Sequence, residues 1–169
     1  MNYTQARPLI RSGDLLAWSH RAPWYKSWYD FKIAMVRAFT QSEYSHVGVA
    51  WCVGDRVFVL EAVTPLVRIY PLSKLGEFYY IPLPAKFNDA ALEYALSKVG
   101  EPYSQLQAMQ AVFKTPQDDK LWQCAEYAAR TLLLAGVNLG KVHTPTALVR
   151  EAMLTYGSLA SIVENDDES

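Results

Sequence analysis

The 169-residue chain carries sixteen Lys and Arg against seventeen Asp and Glu, a net charge of -1, and is 51% hydrophobic. That suits one globular domain with its own core, and a near-neutral balance with pI near 6.3 gives no basic field for a nucleic-acid partner. Two cysteines, Cys52 and Cys124, are too few for a disulfide scaffold or a thiolate zinc site, which leaves one bridge, two buried thiols or one reactive thiol.

Met1 to Ile10 is polar and holds a proline where an export signal needs a continuous apolar run, and no stretch approaches the length of a membrane span. The expectation is a soluble protein, cytoplasmic as synthesised, in a compartment that disfavours disulfides. Asp14 to Ser19 follows a Ser12-Gly13 turn and predicts a strand. Beyond Pro23, Trp24, Trp28, Phe31 and Met35 recur at near-helical spacing and predict a helix over about Ser27 to Phe39. Tyr44 to Val53 and Arg56 to Val63, rich in β-branched residues, flank Gly54-Asp55 and predict an antiparallel hairpin. Leu66 to Tyr70 and Glu77 to Leu83 are further strands, separated by a corner from Pro71 to Gly76.

Helical patterning begins at Asn88, a capping residue; Leu92, Ala95, Leu96 and Val99 share one face and Gly100 stops it. Ser104 with Gln107 forms a capping box for a helix to about Phe113, and Lys114 to Lys120 is a polar loop. Cys124 to Ala135, apolar almost all round, predicts a buried helix ended by Gly136. Thr144-Pro145 opens a last helix, and an acidic tail from about residue 163 to 169 is expected to be disordered. Strands first and helices afterwards define an α+β domain, helices packed on a mainly antiparallel sheet, with no linker to divide it.

The hairpin carries the first chemical signal. With Gly54-Asp55 as its turn, paired positions sum to 109, so Glu61 faces Gly48 and His46 faces Val63. Alternation puts His46 and Glu61 on one face as diagonal neighbours roughly 7–8 Å apart, within reach of two polar side chains. A carboxylate there fixes one imidazole tautomer and stabilises the imidazolium. Cys52 shares that face but lies about 20 Å along the strand, which makes it a small packing residue. Cys124, at the expected start of a helix, has the terminal N–H groups and macrodipole that favour a thiolate. Read by themselves, His46 and Cys124 fit either a structural role or a base with its nucleophile.

Gly13-Asp14-Leu15-Leu16, Tyr44-Ser45-His46-Val47-Gly48-Val49, Val59-Leu60-Glu61-Ala62, Gly100-Glu101-Pro102-Tyr103 and Cys124-Ala125-Glu126-Tyr127 follow one another in the chain. Together they resemble the ordered motifs of circularly permuted NlpC-like papain-fold hydrolases, a group that includes YiiX-like proteins and is related to lecithin retinol acyltransferase. The histidine precedes the cysteine, the order that marks the permuted group. The resemblance covers residues 13 to 135 and implies a permuted papain-like single domain. It implies Cys124 as nucleophile, His46 as general base and Glu61 as the residue that orients it. It also implies Tyr103 near the site, donating to the oxyanion or shaping the cleft, beside the Cys124 backbone N–H. Ser104 stands where relatives often have Asp, and Gly13-Asp14 reads as a structural turn.

The expected activity is therefore a cysteine amidase or peptidase working through an acyl-enzyme, with cell-wall muropeptides as the substrate class the family suggests. Access to the wall would then depend on phage or lysis delivery. The alternatives are a lipid or thioester acyltransferase or esterase on the same triad, with the aromatic segment from Trp18 to Phe31 as its surface, and a non-catalytic binding module. His20 and His143 sit in turn-like contexts, and no His/Cys/Asp cluster at ligand spacing calls for a metal or another cofactor.

Overall fold

The computed structural model describes residues 1–19, 43–102 and 119–164, with the backbone alone for 119–123. In chain order the elements are α1 (Tyr3–Ala6), β1 (Leu15–Trp18), β2 (His46–Val53), β3 (Arg56–Val63), β4 (Leu66–Pro71), β5 (Phe78–Ile81), α2 (Asp89–Ser97), α3 (Asp119–Leu134), α4 (Pro145–Tyr156) and β6 (Ser161–Val163). The six strands form one antiparallel sheet in the order β4-β3-β2-β1-β5-β6, so the α+β expectation holds. The expected helices over 27–39 and 104–113 lie outside the described residues, as do His20 and the aromatic cluster from Trp24 onward.

The hairpin register is the expected one: Val53 faces Arg56 and Val49 faces Leu60, around a Gly54 with φ of 59° that a side-chain-bearing residue adopts poorly. Pleating sorts the two faces. Leu15, Ala17, Val47, Val49 and Ile81 pack against Ala125, Ala128 and Leu132 of α3 and Leu148 of α4. Leu16, Ala50, Val57, Val59 and Phe78 face the other way, onto Ala6 and Ile10 of the N-terminal segment. The middles of the central strands are apolar on both faces because both are covered, which is why their sequences read as runs rather than alternations.

Four expectations change. Helix α3 already includes Asp119 and Lys120, so the end of the expected polar loop is helical. Cys124 therefore stands beyond the first turn. In α2 the buried residues are Ala91 and Ala95, while Leu96 and Val99 face solvent. Small side chains let α2 lie close to α3, where the Tyr127 hydroxyl donates to the Ala95 carbonyl at 3.0 Å and Tyr94 stacks on Tyr127. Finally, Val163 is fully buried in β6, so ordered chain continues past the expected start of the tail. The capping expectations do hold: Asn88 accepts from the Ala91 N–H and Thr144 from the Ala147 N–H, and Gly136, at φ of 83°, follows α3.

Two short segments cover the sheet ends. Gly100 donates to the Val67 carbonyl and Val67 to the Glu101 carbonyl, with Pro102 bridged to Leu66. On the opposite edge Asn2 bridges Glu164, with Tyr3 donating to the Glu164 carbonyl at 2.8 Å.

Candidate active site

The site grows from three adjacent strands. His46 opens β2, Glu61 lies near the end of β3 and Arg68 is directly opposite Glu61 on β4. His46 Nε2 is 2.6 Å from Glu61 Oε2. Arg68 donates from Nε to Glu61 Oε1 at 2.7 Å, and its Nη2 is 2.6 Å from the same oxygen. The Glu61 side chain is only 2% exposed, against 21% for His46 and 36% for Arg68. Burial alone would push the Glu61 carboxyl up, but its hydrogen bonds and charge contacts with His46 and Arg68 outweigh that and hold it below the usual carboxylate range. Gly48 makes the approach possible, because a Cβ there would strike Val59 Cγ2 and lie 3.3 Å from Glu61 Cβ.

Cys124 comes from α3, packed against β2, and is buried. It is hydrogen-bonded to His46. With Nε2 committed to Glu61, Nδ1 is the ring nitrogen left for the sulfur. Burial would lower the His46 pKa, yet the hydrogen bonds with Cys124 and Glu61, and the charges behind them, raise it to about 9. Trp18, the cross-strand partner of His46, places its ring 5.3 Å from the imidazole and also touches Phe78. A ring at that distance favours a protonated imidazole.

The structure thus brings together Cys124, His46 and Glu61, residues proposed from sequence as a nucleophile and its partners. Their alignment makes proton transfer between sulfur and imidazole possible, with the carboxylate set to offset the ring's charge. Tyr103 lies outside the described residues; Pro102, just before it, is fixed against β4. The helix-terminus expectation for Cys124 is corrected. Five residues past the start of α3, its N–H falls within the intrahelical ladder rather than among the first orphan donors, so it is not free to bind an oxyanion.

Cys52 is half-buried on the N-terminal side of the sheet, its thiol donating to the Ile10 carbonyl at 3.4 Å, and neither cysteine is in a disulfide. Asp14 is buried and accepts from the Arg11 and Leu83 N–H groups at 2.7 and 2.9 Å, the structural staple its turn suggested. His143 is exposed. Arg68 escaped the sequence reading, although a signal was present. A two-residue connection at Thr64-Pro65 pairs Val63 with Leu66, and counting back in step pairs Glu61 with Arg68.

No family model and no curated protein matches the chain. Among solved structures it is similar to YiiX from Escherichia coli O157:H7, described as a metalloprotein, at 19% identity, over 92% of this chain and 88% of that one, with a TM-score of 0.52. Among the described residues no group of three His, Cys, Asp or Glu side chains is placed to hold a metal ion, and both Glu61 oxygens are engaged by His46 and Arg68. No helix among the described residues is long and apolar enough to cross a membrane. At this level of identity the likeness is one of architecture: a mixed α+β, YiiX-like fold built on six antiparallel strands.

Proposed function

We propose that the chain is a cysteine hydrolase, an amidase or peptidase of the circularly permuted papain type, working through an acyl-enzyme on Cys124. The observation that carries this reading is the His46 ring, hydrogen-bonded to Cys124 on one side and to buried Glu61 on the other. With the proton of the Cys124–His46 pair already on the imidazole, Cys124 Sγ bonds to the substrate carbonyl carbon. The C–N bond then breaks as the imidazolium returns that proton to the leaving amine, leaving a thioester. Water, deprotonated by His46, attacks the thioester carbon; the acid leaves and the thiol is restored. Throughout, Glu61 holds the ring and offsets its charge, and Trp18 flanks it. Tyr103 is the proposed oxyanion donor, since the Cys124 N–H lies within its helix. Peptide amides of the bacterial cell wall are the substrate class, on the strength of the family resemblance.

The test is a product screen of wild type, Cys124→Ala and Glu61→Gln against muropeptides, plain peptides and long-chain acyl esters. Wild type is expected to release amide-cleavage products from muropeptides, Cys124→Ala none, and Glu61→Gln about a hundredfold less per unit time. Transfer of an acyl chain to Cys124 from an ester, with muropeptides untouched, would replace the hydrolase by an acyltransferase. Equal products from wild type and Cys124→Ala would overturn the reading altogether.

A further inference from the structure

A carboxylate has two oxygens, and in Glu61 they are divided. Oε2 meets His46, while both Nε and Nη2 of Arg68 converge on Oε1. A guanidinium meeting a free carboxylate commonly pairs with both oxygens side by side. Here it takes one and leaves the other for the imidazole. Two features hold it there: strand register places Arg68 directly opposite Glu61, and the Arg68 Cζ lies 4.5 Å from the centroid of the Tyr70 ring, two residues along the same strand. Building on the hydrolase reading, we propose that Arg68 is a positioning residue for the Cys124–His46–Glu61 site, one that occupies Oε1 of Glu61 and so turns Oε2 onto His46.

Among the described residues, the charged and titratable groups around Glu61 come from three elements. His46 faces it from β2, Arg68 from β4, and Cys124 of α3 stands behind His46. The Trp18 ring lies against His46 and the Tyr70 ring against Arg68. Removing the guanidinium leaves a buried carboxylate with one cationic neighbour, itself a titrating group. Such a carboxylate protonates at higher pH, and a protonated Glu61 no longer accepts as an anion from His46. Arg68 therefore sets how far into the acid range the His46–Glu61 contact survives.

The experiment uses the full chain in a Cys52→Ser background, with 15N-labelled histidine, and compares Arg68, Arg68→Met, Arg68→Lys and Glu61→Gln proteins by NMR between pH 4 and 9. In the parent the His46 Nε2–H signal, sheltered by its bond to Glu61, is expected to persist into the acid range. In Arg68→Met its acid limit rises by about one pH unit or more, the scale on which a nearby opposite charge moves a carboxyl. Arg68→Lys restores most of that range, and Arg68→Met adds nothing once Glu61 is Gln. An Arg68→Met protein, folded by circular dichroism, with the same Nε2–H signal and the same acid limit overturns the proposal. If that variant does not fold, Arg68→Lys decides instead: an acid limit above that of the parent supports the role, and one equal to the parent overturns it.

Iodoacetamide labelling of Cys124 in the same proteins tests the hydrolase reading separately. If the parent thiol reacts no faster than an ordinary thiol and does not respond to His46→Ala, the hydrolase falls, whatever the NMR shows. If it reacts fast but identically in Arg68→Met, Arg68 has no role in the site.

Discussion

A buried carboxylate stays charged only where partners replace the water it has lost, and Glu61 has one such partner on each oxygen. The arrangement has opposite consequences for its two sides. His46 gains protons on folding, its pKa rising from an ordinary 6.5 to about 9. The stability it contributes is therefore complete below pH 6.5 and disappears as pH rises through 9. Glu61, held low, contributes stability above its ordinary range and loses it only as pH falls through its depressed value. Equilibrium urea unfolding should show the wild-type midpoint falling between pH 6.5 and 9 and a flatter profile for His46→Gln. Parallel profiles would mean that His46 is not held protonated by its neighbours. Of these residues, sequence alone yields His46 and Glu61, because hairpin register is arithmetic once the turn is placed. Register arithmetic does not yield the partnership with Cys124, which only the family resemblance implies. That partnership depends on how α3 lies across β2, a matter of packing between residues far apart in the chain.

Among the elements, the β2–β3 hairpin is the most closely fitted. A Cβ at position 48 would strike Val59 Cγ2, with the Leu60 carbonyl at 3.1 Å and Glu61 Cβ at 3.3 Å, inside a sheet covered on both faces. Gly48→Ala should therefore cost about 1–3 kcal/mol and displace Glu61 from His46. Urea unfolding checks the first effect and the His46 Nε2–H signal the second; wild-type behaviour in both would show that the strands yield without strain. The hairpin was legible because its turn, its β-branched runs and its glycine agree. Helix α2 was legible in its limits but not in its orientation. Of the expected face of Leu92, Ala95, Leu96 and Val99, only Ala95 is fully buried, because close approach of α3 selects the small side chains Ala91 and Ala95. Strand β6, three residues long, carries too short a pattern to register.

At the scale of the molecule, the N-terminal residues and β6 depend on each other. Met1 donates to the Ile162 carbonyl, Glu164 to the Met1 carbonyl and Tyr3 to the Glu164 carbonyl. Tyr3→Pro removes the last of these while leaving α1 a residue that suits its first position. Relative to Tyr3→Ala, which keeps the N–H, it should weaken the fold by about 1 kcal/mol and bring on light scattering at a lower temperature in a heating ramp. Identical scattering curves for the two variants would show that this hydrogen bond protects nothing.

The other edge is guarded differently. The outward backbone groups of Val67 are taken by Gly100 and Glu101, and Pro71, two steps beyond Ile69, has no N–H to offer. Among the described residues, an extended peptide approaching β4 finds a donor at Ile69 alone, and one approaching β6 meets the N-terminal segment. Neither edge invites recruitment of a further strand, from a second molecule or from a substrate. A peptide substrate of this protein would have to be recognised through its side chains and termini rather than by lengthening the sheet.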